Sequence, residues 1–229
     1  MAKLVWDVLA ERTYELGVDH GVLYLDGTGT YDNAYVWNGL VSVQQNAEGG
    51  EPNDKYADNI KYFSLQSAEQ YKATVEAFTY PEEFAECDGS KAALTGVYFG
   101  QQPRKSFGFS YRTKIGNAAV GDNAGYKIHL VYGLKASPSD RSYETVNDSP
   151  DAITFSWEFD STPVPVTGPQ ADNFQAVSHI EIDSTKLTEG KLTAIENVLY
   201  GTDASQGQEA TTGRLPLPAE VLTIISSAT

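Results

Sequence analysis

With one cysteine, Cys87, in 229 residues, the chain has no partner for an internal disulfide, so packing, oligomerisation or both must stabilise it. Basic residues are also scarce, with Lys+Arg 16 against Asp+Glu 31 and a formal net charge of −15. Proteins that grip nucleic acid by neutralising phosphates need clustered Lys and Arg, so that class is excluded; DNA passing nearby without being held is not. No apolar run approaches the roughly 18 residues of a spanning helix, and the start, Met1-Ala2-Lys3-Leu4-Val5-Trp6-Asp7, lacks a secretory apolar core. The expectation is a soluble chain made in the cytoplasm with no membrane contact. Gly 20 and Pro 10 are ordinary amounts, which excludes collagen-like and linker-dominated chains. The three histidines, His20, His129 and His179, fall inside or beside strands without ligand spacing and read as packed or surface residues. Metalloprotease, nucleophile-elbow, Walker and dinucleotide signatures are missing, so a non-enzyme with no cofactor and no metal is expected.

What is present is a folding sequence, 41% apolar and 11% aromatic with 14 tyrosines. Short runs rich in Val, Ile, Thr, Tyr, Phe and Trp recur between turn signals, the texture of an antiparallel, mainly β domain. Strands are expected at Arg12–Leu16 and His20–Leu25, with a break at Gly17, then at Ala34–Gln45 and Asn59–Gln66. Between the last two, Asn46–Asp58 has no apolar periodicity and reads as a long acidic projecting loop. Ser67–Phe78 fits both a capped helix and a β-branched strand; Pro81 and the run Ala73–Tyr80 favour strand, followed by a helical turn over Pro81–Cys87. Further strands are expected at Lys105–Thr113, Tyr126–Ala136, Ala152–Phe159 and Ala176–Asp183. A helix is expected over Gly190–Tyr200, capped by Gly201. The prolines of Ser161–Pro169 make an edge or connector, dividing a sandwich domain, 1–167, from a strand–helix segment, 168–229, of the same domain.

Several chemistries are weighed against plainer readings. Asp26, Asp32, Asp54, Asp58, Asp122 and Asp148 lie in loop-like segments but do not follow a calcium-loop order. Glu82 with Glu83, or Asp7 with a distant Glu, are carboxylate pairs of the kind a glycosidase needs, but among 31 acids accidental pairs are expected. Cys87 reads as an inert buried thiol. Trp37, Trp157 and the 14 tyrosines supply either a sugar-stacking platform or the filling of cores and subunit interfaces. Bases collect at Arg104-Lys105 and around Arg112, whereas Glu48–Asp58 and Glu82–Asp88 are acidic, a pattern that suits head-to-tail contacts between copies or plain solubility.

One ordered series of segments resembles a known family. It runs Trp37-Asn38-Gly39-Leu40, Tyr56-Ala57-Asp58-Asn59-Ile60-Lys61-Tyr62, Tyr80-Pro81-Glu82-Glu83-Phe84-Ala85-Glu86-Cys87-Asp88-Gly89 and Gly100-Gln101-Gln102. It continues with Phe107–Thr113, Gly125–Gly133, Pro138-Ser139-Asp140-Arg141, Asn147-Asp148-Ser149-Pro150, Phe155-Ser156-Trp157-Glu158 and Leu215–Val221. The series resembles the major tail proteins, or tail tube proteins, of long non-contractile-tailed bacteriophages (siphophages). The likeness spans most of the chain from about Trp37 onward and contains no catalytic signature.

The resemblance implies a β-sandwich with a flanking helix, assembled into hexameric rings that stack into the tube through which the genome travels. Strands of six subunits would close an inner β-barrel, and a long loop would reach the adjacent ring. The partners implied are further copies of the chain, a tape measure protein, tail terminator or initiator proteins, and double-stranded DNA that crosses the lumen without tight binding. The location implied is the virion tail. By length and charge, the acidic loop, with Glu48, Gly49, Gly50, Glu51, Asp54, Tyr56 and Asp58, is the candidate stacking contact. Ala34–Gln45 and Asn59–Gln66 are candidate lumen strands, with Gln44, Gln45, Glu48, Lys61 and Gln66 at lumen or rim. Arg104, Lys105 and Arg112 are candidate inter-subunit contacts. A lumen surrounded by chains of −15 would repel a polyanion and let it slide. The competing class is a carbohydrate-binding β-sandwich module of a virion or secreted assembly, using Trp37 and Trp157.

Overall fold

The computed structural model describes residues 3–143, 145–146, 152–169, 174–204 and 209–228. The quoted segment Asn147–Pro150, with Asp148, lies outside the described residues. The chain is mainly β, built on a large antiparallel sheet with flanking helices. In chain order the strands of that sheet are β1 (Thr13–Leu25), β2 (Asn33–Trp37), β3 (Leu40–Glu48), β6 (Gln70–Ala77), β9 (Phe107–Asn117), β10 (Gly121–Ala136), β11 (Phe155–Ser161) and β12 (His179–Asp183). Smaller two-stranded sheets are β4 (Pro52–Ala57) with β5 (Ile60–Gln66), β7 (Lys91–Leu94) with β8 (Val97–Phe99), and β13 (Gly201–Thr202) with β14 (Thr211–Thr212). The helices are α1 (Glu189–Tyr200) and α2 (Pro218–Ser227).

The large sheet runs β2-β1-β9-β10-β11-β6-β3, with β12 also paired to β10. It folds back on itself at β10, which pairs with β11 over only Leu134–Ala136 and with β12 over Lys127–Val131. One layer is therefore β2-β1-β9-β10-β12 and the facing layer is β11-β6-β3. Between them lies an aromatic core in which Trp37 meets Trp157 at 5.4 Å and Phe84 at 4.6 Å between ring centroids, with Phe107, Phe109 and Phe159 packed around them. Period-two alternation sends the other side chains of the first layer the opposite way. There Val22, Tyr24, Ile128, Leu130 and Tyr132 meet Ile195 and Leu199 of α1, Val221 of α2, and Leu215. Tyr24 Oη donates to the Leu199 carbonyl at 3.1 Å and Tyr132 Oη to the Pro216 carbonyl at 2.9 Å, fixing both helical segments to the sheet.

Arg12–Leu16 and His20–Leu25 are one strand, because register shifts around Asp19 absorb the irregularity at Gly17 and His20 without ending the ladder to β9. Ala34–Gln45 is not one strand: Asn38-Gly39 splits it into β2 and β3, which lie at opposite ends of the sheet order. The favoured strand over Ser67–Phe78 is present as β6, and the helical turn after Pro81 is a 3-10 turn over Glu82–Glu86. Asn46–Asp58 is not an irregular loop. Its first residues complete β3, Gly49 and Gly50 turn the chain with φ of 82° and 73°, and the remainder is β4. A side chain at both turn positions would be strained, which is why a Gly-Gly pair stands there. The last helix, α2, starts with Pro218 at its first turn, where proline is tolerated, inside a stretch that reads only as a closing segment.

Candidate assembly surfaces

The β4–β5 hairpin leaves the main sheet as an arm roughly 20 Å long at the ordinary strand rise. Asp58 and Asn59, with φ of 50° and 63°, form the two-residue left-handed turn that joins β4 to β5. Asp54 accepts from Ser64 at 2.6 Å and pairs with Lys61 at 2.7 Å, so one face of the arm is held together by polar groups. The hydrogen bonds from Lys61 and then Ser64 hold the Asp54 carboxyl below its ordinary range. At the root, Gln66 donates to the Gly50 carbonyl at 2.6 Å and Ser67 Oγ accepts from the Gly50 N–H at 3.1 Å.

The other face carries an uncovered apolar strip on its β5 side. The register pairs Asn53 with Leu65, Lys55 with Phe63 and Ala57 with Ile60, which puts Leu65, Phe63 and Ile60 in one strip. Their exposures are 56%, 47% and 60%, and Tyr56 and Tyr62 are more exposed still. An isolated hairpin is marginal in water unless a further surface covers its apolar side. The stacking candidates lie along the arm and at its root: Glu48 ends β3, Gly49 and Gly50 make the turn, Glu51 leads into β4, Asp54 and Tyr56 lie on β4, and Asp58 is at the tip. Sequence periodicity missed the hairpin because Asn, Asp, Lys and Pro in β4 have little strand propensity.

The outward face of β3-β6-β11 is the second surface. The register aligns Ser42, Glu76 and Ser156, then Gln44, Thr74 and Glu158, then Asn46, Lys72 and Asp160. The face is polar, and its one cation, Lys72, is held between Glu48 at 2.9 Å and Asp160 at 3.1 Å. Those contacts, Glu48 first, raise the Lys72 pKa, so the ammonium stays charged and engaged. Ser42 donates to Glu76 at 2.8 Å. Of the lumen or rim candidates, Gln44 and Glu48 belong here. Gln45 points inward, donating to Tyr111 Oη at 2.5 Å, because adjacent strand residues face opposite ways. Lys61 and Gln66 sit on the arm.

The basic candidates are engaged within the chain. Arg112 donates to Asp19 at 2.9 Å and lies 4.6 Å over the Tyr126 ring. Arg104 pairs with Asp88 at 3.1 Å beside Arg141, and Lys105 pairs with Glu86. Only Lys105 of the three has a largely exposed charged group.

The sugar platform is overturned: Trp37 and Trp157 are 2% and 1% exposed, at the centre of the core, and the Trp37 indole N–H is spent on the Thr79 carbonyl at 2.9 Å. Cys87 is fully buried, which pushes its thiol up to about 12. The loop aspartates have neighbours of their own: Asp26 accepts from Gly29 and Ser106, Asp32 from Thr30, and Asp122 from Tyr14. His129 and His179 share an in-plane contact, Nδ1 to Nε2 at 3.1 Å, within the sandwich. Tyr111 stacks on His129 and Tyr71 on His179. Burial lowers the pKa of both histidines, that of His179 to about 4.

No protein-family model matches the chain, and no curated protein matches it. Among solved structures, one similar chain belongs to the sheath–tube complex, in the extended state, of an extracellular contractile injection system, PVC. The identity is 11% and the TM-score 0.35, covering 76% of this chain and 95% of that one. Another belongs to the sheath/tube terminator of the same system, at 12% identity and a TM-score of 0.30, covering 74% of this chain and 97% of that one.

Proposed function

We propose that the chain is a structural subunit of a phage tail tube, of the siphophage kind its sequence resembles, assembling as stacked hexameric rings around a lumen for the genome. The observation that carries this reading is the arm: a hairpin outside the main sheet, with Ile60, Phe63 and Leu65 on one uncovered face. Such an element is stable where another surface covers it, and a second copy of the chain is the partner implied. The polar face of β3-β6-β11 supports the lumen half of the proposal. It lies on the side of the sandwich away from α1 and α2; the one cation of its three strands is already paired with two carboxylates, and Lys135 on the adjoining β10 stands opposite Asp160. A phosphate backbone meets more carboxylates than ammonium groups on that face, with Glu76, Glu158 and Asp160 against Lys72 and the adjoining Lys135, and sliding is favoured over binding. The free edge of β3 is the site where the sheet of a neighbouring subunit would continue the barrel. Tape measure, terminator and initiator proteins complete the proposed assembly, located in the virion tail. Replacing residues 50–66 by a short Gly-Ser turn tests the reading. The shortened chain keeps its fold and sediments as subunits or single rings, while the full chain forms long assemblies; identical sedimentation of the two contradicts the role of the arm.

A further inference from the structure

A stacking arm needs a receiver, and for stacking to repeat, the receiver must be a different surface of the same chain at the other end of the subunit. The β3–β6 pair shows where the two ends are. Its register runs from Glu48 opposite Gln70 to Leu40 opposite Ala77, a span of roughly 23 Å for the eight residues of β6. The arm is rooted at the first end, leaving after Glu48 and returning before Gln70. Beyond Ala77, at the second end, the chain passes through the 3-10 turn Glu82–Glu86 into the β7–β8 hairpin.

That hairpin is the counterpart of the arm. It pairs only with itself, Lys91 with Phe99 and Ala92 with Tyr98, and it is tied to the body by Tyr98 Oη donating to Glu82 and by the Gln102 N–H donating to the Gly89 carbonyl at 2.9 Å. Leu94 and Phe99 are 72% and 61% exposed. Between residues 90 and 102 it carries Lys91 and no carboxylate, a net charge of +1. Residues 51–66 of the arm carry Glu51, Asp54 and Asp58 against Lys55 and Lys61, a net charge of −1. Each hairpin therefore has an uncovered apolar strip, and the two stand at opposite ends of the β3–β6 pair; the carboxylate at the end of the arm's strip is Asp58, at the tip.

We infer that the β7–β8 hairpin of one copy receives the β4–β5 arm of the next, with Ile60, Phe63 and Leu65 packed against Leu94, Val97 and Phe99 and the acidic tip beside Lys91. This rests on the tube reading above and adds the receiving surface to it. The contact is head-to-tail, so each subunit gives one arm and receives one.

Cysteine cross-linking of the full chain tests it, because the native thiol is buried and silent. A chain carrying both Ile60→Cys and Leu94→Cys, assembled and then oxidised, gives a ladder of covalent multimers beyond the dimer on non-reducing gels. Neither single variant cross-links alone, and their mixture stops at the dimer. Dimers from Ile60→Cys alone mean that arms meet each other. Cross-links between Ile60→Cys and Val5→Cys, with none to Leu94→Cys, mean that the exposed N-terminal segment is the receiver. Either result overturns the receiving surface while leaving the tube intact; sedimenting assemblies without any Ile60–Leu94 cross-link do the same. A chain that remains monomeric by sedimentation overturns the tube reading and this inference together.

Discussion

Replacing Ile60 and Phe63 together by serine separates assembly from folding. Both side chains lie on the arm, outside both buried clusters, so the isolated subunit loses little: surface changes of this kind stay within about 0.5 kcal/mol. In an assembly the same side chains would be covered. Full burial of a large apolar side chain contributes about 1.5–3 kcal/mol. Phe63 has 47% of its surface left to bury and Ile60 60%, so the pair contributes about 2–3 kcal/mol per arm contact. At about 1.4 kcal/mol per tenfold, that raises the critical concentration for assembly by about 30- to 150-fold. Pelleting against subunit concentration reads the assembly, and a urea melt of dilute subunits reads the fold. An unchanged critical concentration refutes the role given to the arm. A large fall in the urea midpoint refutes the claim that the arm is energetically separate from the sandwich.

Three further outcomes follow from named contacts. Trp37→Ala empties the centre of the aromatic core and is expected to cost about 3–5 kcal/mol, read as a lower urea midpoint at unchanged slope. The buried His179 has its pKa lowered from the ordinary 6.5 to about 4, so between those values the unfolded chain binds more protons than the folded one and stability falls as the pH falls. The loss is at most about 3 kcal/mol, and urea midpoints of His179→Gln should show a shallower decline over pH 6.5 to 4 than those of the parent. Glu158→Lys places an unpaired cation on the face proposed to line the lumen. Assembled tubes of that variant are expected to retain duplex DNA in a salt-dependent manner, measured by co-sedimentation, whereas parent tubes release it.

The strands of the sandwich were legible because their alternation matches a core on one or both faces: Phe107, Phe109 and Tyr111 point to one core, while Ile128, Leu130 and Tyr132 point to the other. The division of Ala34–Gln45 was hidden because both halves are apolar and β-prone, and only Asn38-Gly39 marks a turn that carries the chain across the fold. The arm was legible as a projecting acidic segment but not as a hairpin: β4 is set by its pairing with β5 and by the left-handed Asp58-Asn59 turn, not by its own propensity. The β7–β8 hairpin was invisible for a different reason: Val97-Tyr98-Phe99 is β-prone, but strands of four and three residues are too short for alternation to register. Buried tryptophans cannot be told from a binding platform by composition; Trp37 and Trp157 needed the fold to place them. The polar face of β3-β6-β11 emerges only from register, since Gln44 and Gln45 are neighbours in the chain and face opposite ways.

Electron microscopy of the purified chain over a range of concentration and salt, with mass measured on the same samples, decides whether the chain builds a tube. Hollow tubes of uniform width built from stacked rings, with the β3-β6-β11 face lining the lumen, are the expected result. Monomers throughout that range, or assemblies with that face on the outside, would contradict it.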